Sequence, residues 1–154
     1  KDKHLTIVSD TVKQNLSTYL SEYRIIGDTV SIKDGFVINI GVDFEIVVMP
    51  NYNNNEVLSR CIVELQNYFS IDNWTFNQPI MLKEIFLTLD KVKGVQTVKT
   101  VNITNKSGIT NGYSEYAYDV IGATQDNVIY PSLDPSVFEV KYPETDIRGR
   151  VVSL

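Results

Sequence analysis

The chain has 154 residues, of which 43% are hydrophobic and 21% are charged, with a formal net charge of −5. This composition, and a length within the usual range of roughly 100–200 residues, predict one globular domain with a sizeable core. The acidic balance argues against a nucleic-acid partner, because binding phosphates requires a basic surface. No apolar run approaches the ~20 residues that cross a bilayer, so no membrane partner is expected.

Three segments have the spacing of amphipathic helices. The first covers residues 9–24, where Ser9 or the next residue can cap the start by accepting a backbone N–H. The second follows a cap at Asn53 and continues to about residue 69. The third covers residues 82–91 and ends before Gly94, which can adopt the left-handed conformation that follows many helices.

The clearest strand is Phe36–Val48, in which seven apolar residues alternate with polar or small ones. This alternation predicts a long antiparallel strand with one face on a core and the other on water. A short strand at residues 29–32 and an Asp-Gly turn precede it, as in a hairpin. Residues 95–104 predict a strand with a bulge, and Tyr116–Val120 predicts another strand.

The character of the sequence changes after Ala123, where three prolines interrupt a stretch without helical periodicity. Such a stretch is typical of an extended arm that buries short apolar pieces against this domain or against a neighbour. The order of elements therefore predicts an α+β fold, an antiparallel sheet with helices packed on one face. We expect this domain to occupy residues 1–123, followed by an extended C-terminal arm of residues 124–154 with short strands.

No residue pattern predicts a catalytic, metal or cofactor site. His4 stands alone near the beginning of the chain, and Cys61 lies on the apolar stripe of the second helix, where a thiol behaves as a small hydrophobe. Asp43 and Glu45 share the outer face of the long strand. Paired carboxylates can perform acid–base chemistry or hold a hard cation, but a solvated strand face or a partner surface is favoured.

Glu115 and Asp119 have the same interpretation as the carboxylates of the long strand. An alternative therefore stays open, in which the chain is a ferredoxin-like module that binds a small molecule or catalyses a reaction on the outer strand face. The chain has a single cysteine, which cannot form an intrachain disulfide. The absence of such a disulfide fits a protein of a reducing cytoplasm.

Three stretches resemble the baseplate J-like proteins of contractile-tailed phages. The first is the run Leu20–Val30, with Tyr-Arg at the end of a helix followed by Gly-Asp-Thr-Val. The second is the helix that closes on Gly94-Val95 and Val98. The third, Tyr130–Pro143 with Asp146–Val152, is similar to the C-terminus of the baseplate wedge subunit of T-even-type phages. Since the chain begins with Lys rather than Met, we expect it to be a fragment or processed piece of a longer protein, and the resemblance implies that it is the C-terminal part.

The resemblance implies a virion component, assembled in the bacterial host cytoplasm, without enzymatic activity or cofactor. Wedge subunits of this family dimerise and link neighbouring wedges into a ring around the central hub. The expected partners are therefore a second copy of the chain and neighbouring wedge proteins. Aromatic and arginine residues often anchor such contacts. The candidate interface residues in the predicted arm are Tyr130, Phe138, Tyr142, Arg148 and Arg150.

Overall fold

The computed structural model of the chain describes residues 4–6, 9–21 and 35–154. The predicted strand at residues 29–32, the Asp-Gly turn up to position 34 and most of the Leu20–Val30 motif lie outside these residues. The first helix, α1, spans Asp10–Ser21. The Ser9 hydroxyl accepts a hydrogen bond from the Val12 amide at 3.3 Å, which confirms the predicted cap.

The central strand, β1, spans Phe36–Val48 as the alternation predicts. Its apolar residues from Ile38 to Ile46 are buried in the core. Along one edge, β1 pairs antiparallel with the strand Val95–Lys106. The register of this pair shifts twice, between Glu45 and Ile46 and again between Val47 and Val48, which confirms the predicted bulge.

Two helices cover the apolar face of this sheet. The helix α2 spans Asn54–Tyr68, and the Asn53 side chain caps it by accepting hydrogen bonds from the amides of Asn55 and Glu56. The helix α3 spans Leu82–Asp90. It packs against the strand Val95–Lys106. The helix α2 packs against α3 and against the C-terminal strand Ile147–Val151. The α+β class with helices on the sheet is therefore confirmed.

The opposite edge of β1 carries two strands from the C-terminal segment, and both run parallel to β1. Residues Ser136–Glu139 pair with the beginning of β1, and Ile147–Val151 pair with its middle. A short helix, Pro143–Asp146, lies between them. The sheet is therefore mixed rather than purely antiparallel. The segment predicted as an extended arm folds back and completes the sheet of this chain.

Three two-residue strands form a second, small sheet. In chain order the strands of the structure are β1, β2 (Ile80–Met81), β3 (Val95–Lys106), β4 (Thr124–Gln125), β5 (Val128–Ile129), β6 (Ser136–Glu139) and β7 (Ile147–Val151). The short helix Pro143–Asp146 is α4. The small sheet has the order β2-β5-β4. The turn between β4 and β5 is Asp126-Asn127, and both residues have positive φ, as a tight hairpin requires.

The prediction of a strand at Tyr116–Val120 is wrong. No strand includes these residues. Tyr116 instead stacks on Phe36, with ring centroids 4.6 Å apart, and Tyr118 packs edge-on against Phe138. Aromatic packing against β1 and against the strand Ser136–Glu139 therefore holds this segment. The alternation of its tyrosines corresponds to these two ring contacts and not to a strand.

Gly149 lies opposite Phe44 in the β1–β7 pair, and this position has no room for a side chain. A Cβ atom there would lie 2.2 Å from Cζ of Phe44, whose ring is buried and cannot move away freely. We expect Gly149→Ala to lower the free energy of unfolding by about 1–3 kcal/mol, measured by urea denaturation.

The steric explanation is tested by the double variant that combines Gly149→Ala with Phe44→Leu. The smaller leucine should restore part of the loss that the alanine causes, because the two side chains interact directly. An alanine variant at least as stable as the wild type would contradict the steric account. That outcome would follow if only the backbone entropy of glycine mattered.

Candidate interaction surface

The five candidate interface residues do not form one surface. Phe138 is 1% exposed and lies in the core beneath the sheet. Its burial within this chain corrects its interpretation as an anchor for a partner. Tyr142 is half-buried, and its hydroxyl donates a hydrogen bond to the Gly112 carbonyl oxygen at 3.1 Å. It also packs edge-on against Tyr113, so it holds the loop after β3 in place.

Tyr130 is exposed and begins a loop that ends at Pro135. The loop is fixed at both ends, because the Tyr118 hydroxyl donates to the Tyr130 carbonyl oxygen and the Phe36 amide donates to the Pro135 carbonyl oxygen at 2.7 Å. Leu133, between these anchors, is 100% exposed. A leucine side chain that is fully in water on an anchored loop is a candidate contact for another protein.

Two phenylalanines extend this apolar feature around the beginning of β1. Phe36 is partly exposed, and the exposed ring of Phe76 lies against Gly35. We call Phe36, Phe76, Tyr130 and Leu133 the apolar rim. The rim combines aromatic and aliphatic side chains at one end of the sheet, which is the composition of many protein–protein contacts. Among its members, only Tyr130 was predicted from the sequence as a candidate interface residue.

Arg148 and Arg150 lie elsewhere, on the outer face of the sheet. In the β1–β7 register they stand opposite Asp43 and Glu45. Arg150 forms a salt bridge with Glu45, and the Thr100 hydroxyl donates a second hydrogen bond to the same carboxylate at 3.0 Å. Hydrogen bonding from Arg150 and then from Thr100 holds the pKa of Glu45 below its usual value.

The outer face thus contains a shallow hollow of about 310 Å³ between β3 and β7, lined by charged and polar side chains. The sequence correctly placed Asp43 and Glu45 on one face, but it gave no sign that arginines from the C-terminal segment lie opposite them. Arg150 therefore compensates the charge of Glu45, while Arg148 donates a hydrogen bond to the Thr145 carbonyl oxygen at 3.0 Å.

A buried polar cluster, which the sequence did not reveal, supports the beginning of β1. The Asn39 side chain donates to Glu139 at 2.8 Å and accepts from the Ser114 amide at 2.8 Å. The second carboxylate oxygen of Glu139 accepts from the Leu5 amide at 2.7 Å. Both Asn39 and Glu139 are almost fully buried. Residues from four distant parts of the chain therefore meet here, held by buried hydrogen bonds.

Asp146, at the end of α4, forms a related contact beside this cluster. Both of its carboxylate oxygens accept from the Tyr113 hydroxyl, at 2.8 and 3.0 Å. Burial and the bond to Asp146 raise the pKa of Tyr113 to about 12, so this tyrosine keeps its proton throughout the physiological range. The contact ties the loop after β3 to the C-terminal segment.

A cavity of about 600 Å³ opens above the cluster. Its floor contains Val37, Asn39 and Glu139, on the face of the sheet that α2 and α3 leave uncovered. Its lining is mainly apolar or aromatic and comes from residues 5 and 6, the beginning of β1, the loop after β3 and the end of β6 with the residues that follow it. The apolar and aromatic side chains of the lining include Leu5, Phe36, Ile109, Tyr113 and Tyr116.

Cys61 and His4, the two residues with conspicuous chemistry in the sequence, lie apart from this cavity. Cys61 is fully buried between α2 and the sheet, as predicted, and burial followed by the nearby Glu64 raises the pKa of its thiol to about 11. His4 packs edge-on against Tyr142, with ring centroids 5.7 Å apart. Among the described residues, no group of three or more metal-ligating side chains comes together.

Within the described part of the chain, every helix is too short or too polar to traverse a bilayer. The sequence matches no protein-family model, and no curated protein is similar enough to count as a relative.

Proposed function

We propose that this chain is a structural subunit of a phage tail baseplate, which associates with a second copy of itself and with neighbouring wedge proteins. The observation that carries the proposal is the apolar rim, because a fully exposed leucine and three exposed aromatic rings surround one end of the sheet. Two of its members, Tyr130 and Leu133, belong to the stretch that resembles the C-terminus of a wedge subunit.

In this proposal the chain has a mechanical role in the virion and performs no chemical reaction. The C-terminal segment completes the sheet with β6 and β7, and its anchored loop, residues 130–135, carries the contact. A contact presented on a fixed loop costs less ordering entropy on association than one on a free tail. Rigid contacts of this kind suit a ring that must stay linked while the baseplate changes shape.

The alternative function is a small-molecule module that uses the hollow around Asp43 and Glu45. Its specific support is the placement of two carboxylates and two arginines on one open face. We favour the assembly role, because the ion pair with Arg150 already compensates the charge of Glu45.

The assembly role is tested by the substitution Leu133→Ser. Removing this exposed side chain should weaken self-association by roughly ten-fold to a hundred-fold, because burying a leucine contributes about 1.5–3 kcal/mol. The free energy of unfolding should stay within about 0.5 kcal/mol of the wild type, because Leu133 contacts little within the chain. Light scattering over a concentration series measures the association.

The matched control is Leu154→Ser. Leu154 is 79% exposed and follows the β7 strand, whose last contacts lie near Ile46, so it is at the opposite end of the sheet from the apolar rim. The control should associate like the wild type. Equal association of the wild type and both variants would contradict a contact at the rim, and a monomeric wild type would contradict the assembly role itself.

A further inference from the structure

The cavity above Glu139 contains a buried charge that the described residues leave without a cation. Glu139 is 2% exposed, and its carboxylate accepts hydrogen bonds only from the neutral Asn39 side chain and the Leu5 amide. No lysine or arginine within residues 4–6, 9–21 and 35–154 forms an ion pair with it. A buried carboxylate is costly unless a positive charge compensates it.

The lysine that lines the cavity, Lys141, does not supply this charge. Its ammonium donates a hydrogen bond to the Gly112 carbonyl oxygen at 2.7 Å and lies 5.6 Å from the centre of the Tyr142 ring. A second carboxylate, that of Glu115, lies at the exposed side of the cavity. The charged groups of the lining are thus two carboxylates and one ammonium, and this balance favours a positively charged ligand.

The apolar walls define the rest of that group. Phe36, Val37, Tyr116 and the exposed Ile109 line the cavity together with Glu139. An unbranched alkyl stem that ends in a cation fits this lining, because the stem packs on apolar side chains while the charge pairs with the carboxylate.

An ammonium fits the floor better than a guanidinium. Each carboxylate oxygen of Glu139 already accepts one hydrogen bond, so the parallel pair of bonds that an arginine forms with a free carboxylate is obstructed. A compact ammonium needs only one of the remaining lone pairs. We propose that this cavity receives the side chain of a lysine presented by a partner protein.

The position of the cavity favours a protein as the source of the lysine. Phe36 belongs both to the lining of the cavity and to the apolar rim, so a subunit docked at the rim would lie directly beside the cavity. In this respect alone the inference rests on the proposed assembly role. Binding of a lysine side chain to the isolated chain does not depend on self-association, so the two proposals fail in different experiments.

The test compares three blocked tripeptides, Gly-Lys-Gly, Gly-norleucine-Gly and Gly-(Nε-acetyl-lysine)-Gly, by NMR titration of the chain. The amide signals of Leu5 and Ser114 report binding, because both amides donate into the floor cluster. The lysine peptide should bind roughly ten-fold or more tightly than either uncharged peptide, since only the lysine pairs with the buried carboxylate.

The variant Glu139→Gln assigns this preference to the carboxylate. It should weaken the lysine peptide to the level of the norleucine peptide and leave the norleucine peptide unchanged. Equal affinities of the three peptides for the wild type, no saturable shift with any of them, or an undiminished lysine preference in the glutamine variant would each overturn the proposal. If the variant does not fold, the comparison of the three peptides on the wild type still decides.

Discussion

Replacing Phe138 with alanine is expected to lower the free energy of unfolding by about 3–5 kcal/mol. The ring is almost fully buried beneath the sheet, in contact with Tyr118, and pairs through its backbone with Ile38 of β1. Its removal leaves a cavity that the surrounding strands cannot close completely. Urea denaturation of the purified variant, followed by circular dichroism, measures the loss.

The control for Phe138→Ala is Tyr130→Ala, an exposed aromatic residue of the same C-terminal segment. We expect this variant to lose at most about 1 kcal/mol of stability, far less than Phe138→Ala, because Tyr130 is 49% exposed whereas Phe138 is almost fully buried. If Phe138→Ala kept the stability of the wild type and weakened association instead, the ring would be an interface anchor, as the sequence suggested.

Deleting residues 136–154 is expected to abolish cooperative unfolding. The deletion removes β6 and β7, and with them every partner of β1 along one edge of the main sheet. It also exposes the core around Ile38, Val42 and Ile46, whose burial supplies much of the stability. Thermal scans should show no sharp transition, and the truncated chain should bind a hydrophobic dye.

Deleting only residues 153 and 154 provides the control for this truncation. Both residues are exposed and neither belongs to a strand, so the shortened chain should unfold like the wild type. A folded, cooperative protein that lacks residues 136–154 would contradict the observed role of β6 and β7 as integral strands.

These two expectations change how self-association has to be studied. The sequence predicted residues 124–154 as an extended arm outside the α+β domain, packed against this domain or against a neighbour. Since β6 and β7 lie within the main sheet, a truncation tests folding rather than contact with a partner. Point substitutions on the exposed rim, such as Leu133→Ser, separate the two effects.

The parts of the fold that were predictable are those with local signals. The alternation in Phe36–Val48 defines β1 to the residue, and the Asn53 cap defines the start of α2. Both signals depend on neighbours within a few positions, where side-chain spacing and capping chemistry act directly. The bulge in the β1–β3 pair was also visible, because the apolar residues after Gly94 break their alternation.

The parallel strands β6 and β7 were not predictable in this way. Each has only four or five residues, and each pairs with a strand about a hundred positions earlier in the chain. A parallel strand buried in a sheet needs no alternation, so Ser136–Glu139 lacks the pattern that marks β1. Prolines on either side made this segment resemble an irregular arm.

The polar cluster beneath the cavity was hidden for a similar reason. Glu139 follows three residues of a short strand and has the composition of a surface position. Only the parallel register brings it beside Asn39, and only the loop after β3 adds the Ser114 amide. A buried carboxylate of this kind is a product of tertiary structure, and no spacing in the sequence encodes it.

Sedimentation velocity of the intact chain, from roughly 1 µM to roughly 300 µM, tests the assembly role most directly. We expect the weight-average sedimentation coefficient to rise with concentration towards that of a dimer, and Leu133→Ser to shift the rise to higher concentration. A coefficient that stays at the value of a monomer over the whole range would contradict self-association through the apolar rim.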